Sequence, residues 1–370
     1  MKRSLLVACL FVLSCKQEAP PAPAAKPPTP EESDQFGKRF ASHMVPCKVG
    51  ELDHDIDVDL LVDRAVAGRA ISSADIRGFK RGLGSVGTML CAQITPDTTY
   101  TYLRTQTIDG TPRPLFRMLG DDGVNYHSLE LDKQGTEVRA ADLYIYMTGE
   151  QLSSTFGGLF DLALHSGAAA EMSSKVTEIK TLMQSKQLDE ASRILKSMPA
   201  ALRKSKPMLL LGVQIASGMD NDPAYIAAID DYAKAFPNDP SLDLVMVDGA
   251  FLRKKYDDAI ALIDRLDKRL GGDPYLESLR ANAFGEAGKH PEAIAHAKRA
   301  VQLEPTLAQG WWALLTQQSA GKDFVGAIAT IEAMTDKLAG SAVDDASLRA
   351  DGRFNALVDS KEYLAWRKPR

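Results

Sequence analysis

The chain has 370 residues, 45% of them apolar and 25% charged, with a net charge of −5. That balance fits a globular protein of about two domains and excludes a wholly disordered, collagen-like or polytopic membrane chain. Without a basic excess there is no electrostatic footprint for nucleic acid, so none is expected as a partner. Four cysteines are too few for a disulfide-dense scaffold.

Residues 1–15 read MKRSLLVACLFVLSC. Lys2 and Arg3 precede an apolar core too short to span a bilayer as a permanent helix. Val12-Leu13-Ser14-Cys15 resembles the bacterial lipobox, which implies cleavage before Cys15 and its diacylation. Cys9, after Leu6-Val7-Ala8, fits the pattern more loosely. The competing reading is an ordinary secretory signal, or an uncleaved anchor. Residues 16–34 carry six prolines and predict an extended, disordered tether. Lys16, in place of Asp after the anchor cysteine, favours the outer over the inner membrane by analogy with enteric bacteria. The expected location is the periplasmic side of a bacterial cell envelope, held by the lipid.

Residues 35–170 predict an α+β unit of helices packed on a curved antiparallel sheet. Segments 58–67 and 74–90 have helical spacing, the second through Ile76, Phe79, Leu83, Val86 and Leu90. Gly82-Leu83-Gly84-Ser85-Val86-Gly87 matches a dinucleotide fingerprint in letters only. It lies inside the helical pattern, with no strand before it, so its glycines are expected to admit a sheet close to that helix. From 98 the period becomes two, and TTYTYLRTQT, RPLFRML, VNYHSLEL and EVRAADLYIYM predict four strands of a meander, closed by a helix over 150–165. The phrases GVNYHSLEL and DLYIYMTGEQLSS resemble the N-terminal region of some bacterial tetratricopeptide proteins, and the order is similar to cystatin-like or nuclear-transport-factor-like cones. That resemblance implies a pocket between sheet and helix, with Arg104, Arg117, Tyr126, His127 and Tyr144 as its candidate polar lining. Asp53, Asp55, Asp57 and Asp59 read as a solvated acidic entry to the next helix, since they lack the glycine turn and closing Glu of a calcium loop. Cys47 and Cys91 are the thiols left after processing. In an oxidising compartment they form either a disulfide or two separate buried thiols.

Residues 173–340 repeat. Ala259, Ala293 and Ala327 recur at one constant interval within YDDAIALIDRL, HPEAIAHAKRA and FVGAIATIEAM. The interval and the phrases resemble the tetratricopeptide repeat, whose period is about 34 residues, and this implies an all-α solenoid of four to five helical hairpins. Small residues let paired helices approach, and Pro240 and Pro305 end second helices. The resemblance further implies a concave groove lined by first helices. Its candidate residues are Tyr275, Asn282, Glu286, Gln309, Trp312 and Thr316, with Ser278 and Gly285 between them, whereas Trp311 falls at a packing position. Residues 341–370 predict an amphipathic capping helix through Phe354, Leu357, Tyr363 and Trp366.

Six histidines are scattered, and there is no H-E-x-x-H, G-x-S-x-G or P-loop. No catalytic residue, metal or cofactor is therefore expected. The reading that follows is a lipid-anchored scaffold binding a protein or peptide of unknown identity. The alternatives are a small-ligand module in the cone and, last, an enzyme on that domain.

Overall fold

The computed structural model describes residues 27–120, 123–166, 169–338 and 343–367. The signal, Cys15 and most of the tether lie outside the described residues. Among those described, no helix is long and apolar enough to cross a membrane.

Helix α1 (Pro30–Met44) begins inside the segment expected to be tether. Thr29 and Glu32 form a reciprocal capping box, each side chain accepting the other's backbone N–H, and Pro30 occupies the first turn, where no N–H is needed. α2 (Val49–Asp55) and α3 (Val58–Val66) follow. The single helix expected over 74–90 is two, α4 (Ser73–Leu83) and α5 (Val86–Cys91). Gly84 takes φ +63° and ends the first, and the Ser85 hydroxyl caps the second by accepting from the Thr88 N–H at 2.8 Å. Gly87 admits a close neighbour, but that neighbour is α2, not the sheet. A Cβ at 87 would strike the Val49 carbonyl oxygen. Cys47 and Cys91 are joined as a disulfide, with Cα atoms 5.6 Å apart, tying the start of α2 to the end of α5.

The sheet is an antiparallel meander of β1 (Thr99–Ile108), β2 (Thr111–Gly120), β3 (Gly123–Gln134), β4 (Glu137–Ile145) and a fifth, two-residue strand β5 (Glu150–Gln151). Asp109 and Gly110 both have positive φ, as a two-residue hairpin requires. α6 (Leu152–Ser166) returns across the sheet. One sheet face, through Tyr100, Phe116, Leu129, Leu131 and Leu143, packs on α1 to α6. Leu115, Leu119, Val124, Tyr126 and Tyr146 face the other way and meet the helices that follow.

Those helices are α7 (Ala169–Gln184), α8 (Leu188–Ser197), the short α9 (Ala200–Arg203), α10 (Lys206–Ser217), α11 (Asp222–Ala235), α12 (Leu242–Leu252), α13 (Tyr256–Leu270), α14 (Pro274–Glu286), α15 (His290–Leu303), α16 (Ala308–Ala320) and α17 (Phe324–Lys337). They pack as consecutive pairs, and the backbone itself repeats. Lys254, Gly288 and Lys322, one repeat apart in succession, each have positive φ in the turn inside a pair, and Lys186 occupies the same place in α7–α8. The following residue donates its N–H five positions back, Lys255 to Ala250, Lys289 to Phe284 and Asp323 to Gln318. Ala259, Ala293 and Ala327 are fully buried, because a larger side chain there would hold the paired helices apart.

The tail is not one helix. α18 (Asp345–Ala350), a 3-10 turn (Gly352–Phe354), α19 (Asn355–Val358) and α20 (Lys361–Trp366) fold over α16 and α17. Ser360 breaks the helical run by capping α20, its hydroxyl accepting from the Tyr363 N–H at 3.1 Å. Phe354, Leu357 and Tyr363 are buried as the terminal cover, with Trp366 packed at its edge.

Candidate interaction surface

The five polar residues assigned to a cone pocket do not share one. Strand alternation places Arg117 and Tyr126, direct cross-strand partners, on the face toward the helical pairs, and His127 on the opposite face. A bulge between Tyr102 and Arg104 turns Arg104 and Gln106 to the same side as Arg117. Tyr144, half-buried, packs there too. The cavity between the sheet and α1 to α6, lined by Phe40, Leu61, Leu129 and Leu152 among others, has a volume of about 10 Å³. That is room for about one water, not for a ligand.

Arg104, Arg117 and Tyr126 instead hold the sheet to the loops between helical pairs. The Arg104 guanidinium donates to the carbonyls of Leu270, Gly271 and Gly272, and Gln106 Nε2 donates to Leu270 O at 2.5 Å. These are carbonyls that the end of α13 leaves without an intrahelical partner. Arg117, 1% exposed, bonds Asp273 Oδ1 at 2.5 Å and Glu304 Oε1 at 2.6 Å, and the Tyr126 hydroxyl donates to Asp273 Oδ2 at 2.6 Å. Asp273 is also the N-cap of α14. Arg269 lies over the Tyr146 ring, and Lys206 bonds Asp239. Asp239 and Asp273 occupy equivalent loops one repeat apart, so the sheet rests on a repeating edge of the array.

On the other face, His127 accepts or donates within a closed chain of partners. Asn125 Oδ1 takes the N–H groups of Tyr126 and Met147, so its amide nitrogen points to His127 Nε2, 3.3 Å away. Nε2 is then the acceptor, and Nδ1–H donates to the Tyr100 hydroxyl at 3.1 Å. Burial pushes the imidazole down to about 4, so it is neutral at physiological pH. With both nitrogens occupied, it has the geometry of a packed core residue.

The acidic run leads into α3 as expected but is only partly solvated, with Asp55 and Asp57 buried and Asp59 exposed. Asp55 is buried against Arg39 and His43, Asp53 accepts from the Gly87 N–H, Asp57 caps α3, and Asp59 pairs with Lys80. Among the described residues no group of three or more acidic, His or Cys side chains forms a metal site.

The groove candidates lie on α14 and α16, which pack side by side. Asn282 and Thr316 are half-buried, and Glu286 and Gln309 only partly covered. The two neighbouring tryptophans differ. Trp311 is 8% exposed and donates Nε1–H to the Pro305 carbonyl at 2.8 Å, whereas Trp312 is 38% exposed with its ring against Phe354. Tyr275 is partly covered by the contact with the sheet. There desolvation, together with the negative charge of Asp248, pushes its hydroxyl up to about 12. The sequence reading missed Asp248 and Tyr225. Asp248 precedes Asn282 by one repeat, as Asn282 precedes Thr316, so the repeat interval was the signal that located it.

No family model matches the chain, and no curated protein does. A solved structure titled "MamA RS-1 ArsTM double mutant" aligns over 44% of this chain and 96% of its own, at 16% identity and a TM-score of 0.36. A likeness that slight assigns neither family nor function.

Proposed function

We propose that the chain is a lipid-anchored scaffold of the bacterial cell envelope, and that it binds a protein or peptide partner and catalyses no reaction. In this reading the helical pairs are tetratricopeptide-type repeats forming a solenoid over 173–340, the anchor is Cys15, and the Pro-rich segment lets the folded part stand off the membrane on the periplasmic side, at the outer membrane.

The observation that carries the reading is the row Asp248, Asn282 and Thr316, spaced by the repeat interval on first helices and continued by the exposed Trp312. None of these four side chains serves an ion pair among the described residues, unlike the polar groups at the sheet junction. Amides and hydroxyls suit the N–H and C=O groups of an extended chain, and an exposed aromatic is the usual anchor of such a contact.

Two measurements test it. Fatty-acid labelling should be lost in Cys15→Ala, and equal labelling of that variant rules out the anchor. Affinity capture from solubilised membranes with the intact chain should recover a protein that the Trp312→Ala and Asn282→Ala variants release. A capture profile identical for all three places the partner elsewhere.

A further inference from the structure

Among the described residues the Cys47–Cys91 bridge is the one disulfide, and its two ends are unlike. Cys47 lies outside any helix, in the turn between α1 and α2, where Val45, Pro46, Cys47 and Lys48 are all exposed. Cys91 is the last residue of α5, partly buried and packed against the core between the helices and the sheet. A reagent arriving from solvent therefore meets the Cys47 sulfur first.

Both segments are also held by contacts that do not need the bridge. On α5, Val86 and Leu90 are buried, and the Gly87 N–H donates to Asp53 Oδ1 at 2.8 Å. On α2, Leu52 is fully buried and Asp55 Oδ2 bonds His43 Nδ1 at 2.6 Å. The Lys48 N–H donates to the His43 carbonyl at 2.8 Å, which fixes the turn itself. A disulfide stabilises mainly by restricting the unfolded chain, so cutting it lowers stability without removing these native contacts. The two cysteines then stay in place, with Cα atoms 5.6 Å apart, inside the range a disulfide spans.

We propose that this bridge is a thiol–disulfide exchange site that opens and recloses within the folded protein, with a dithiol as its reaction partner. A thiolate of the dithiol attacks Cys47 Sγ and forms a mixed disulfide there. The Cys47–Cys91 bond breaks, and Cys91 leaves with the electron pair as a thiolate, which takes up a proton. The second thiol of the partner, also as its thiolate, then displaces Cys47. The protein has gained two electrons, and the partner has become a disulfide. Reoxidation by a disulfide runs the same steps backward. A monothiol goes only as far as the mixed disulfide, which Cys91, held close by α5, reverses. Neither the groove nor the lipid anchor takes part.

The test uses the full chain with Cys9→Ala and Cys15→Ala, which leaves Cys47 and Cys91 as its only cysteines. Dithiothreitol is the probe, added without denaturant, and samples are trapped with N-ethylmaleimide and weighed by mass spectrometry. Two labels per chain should appear, at a rate proportional to the dithiol and unchanged by urea below the unfolding transition. The reduced chain should keep its far-UV circular dichroism, and replacing the dithiol by glutathione disulfide should restore the bridge. When Cys91→Ser or Cys47→Ser is added in turn, the remaining thiol should react with a chromogenic aromatic disulfide several-fold faster at Cys47 than at Cys91. A reduction rate that climbs with urea in step with the loss of stability shows that the bridge opens only in the unfolded chain, and overturns the proposal. So does a bridge that the dithiol leaves intact, or a chain that loses its helical signal on reduction. Equal thiol rates, or a faster Cys91, overturn Cys47 as the point of attack.

Discussion

At Arg117 three charged groups meet almost out of water. Asp273 is fully buried and Glu304 only partly exposed. Removing the cation leaves a buried carboxylate with only the Tyr126 hydroxyl and the α14 N-terminus to satisfy it. Arg117→Met, which preserves the volume, should therefore cost about 3–5 kcal/mol in urea unfolding. Glu304→Gln, at the wetter end, should cost about 1 kcal/mol, and equal costs would show that the charges are not differently buried. That the Tyr126 face lies opposite His127 was legible from strand alternation, although the sequence reading placed both in one pocket. What covers that face was not, because Asp273 and Glu304 are remote from Arg117 and Tyr126 in the chain and nothing local marks them as partners. His127 supplies a second measurement. The unfolded imidazole takes a proton below about 6.5, the folded one only near 4. Between those values the unfolded state binds more protons, so stability falls as pH drops from 6.5 toward 4 and is unaffected above 6.5. The loss is on the order of 3 kcal/mol. In His127→Gln this component should vanish, seen as the difference between the two stability-pH curves, and superposable curves would show that the histidine does not stay neutral.

Among elements, α16 separates packing from presentation in two adjacent residues. Trp311→Ala opens a cavity in the core shared with α15 and α17 and should cost about 3–5 kcal/mol. Trp312→Ala removes a ring only partly covered by Phe354 and should cost about 1 kcal/mol. Thermal melts of the two variants check this, and equal losses would mean that Trp312 is structural. Here the constant repeat interval made the helical pairs and even the side-chain register legible, since a repeat tests the same spacing several times over. Where the pattern occurs once, boundaries were lost. The 74–90 segment kept its apolar period across Gly84 because α4 and α5 both face the same core, so periodicity could not register the break. The disulfide between α2 and α5 joins cysteines separated by 44 in sequence. In the chain-entropy model, Cys47→Ser with Cys91→Ser should cost roughly 4 kcal/mol. A double variant as stable as the parent would show that the bridge does not form in solution.

Among the described residues, both faces of the sheet are packed against helices. Its strands carry apolar residues on both sides, against α1 to α6 on one and against α12 to α14 on the other. Separating sheet and array would expose Leu115, Leu119, Val124 and Tyr146 on one partner and Leu244, Leu266, Leu270 and Leu276 on the other, besides unpairing Asp273. Each Å² of that apolar surface contributes about 25 cal/mol while the two stay packed, which couples their unfolding. The intact chain should therefore unfold in one cooperative step. Its three tryptophans, Trp311, Trp312 and Trp366, all lie in the helical array, so their fluorescence reports that part alone, while amide exchange of β2 and β3 reports the sheet. In urea the two signals should share one midpoint in the parent chain. In Arg117→Met the contact weakens and the midpoints should separate. If they already differ in the parent, the polar edge of loops at Asp239, Asp273 and Glu304 joins two independently stable bodies.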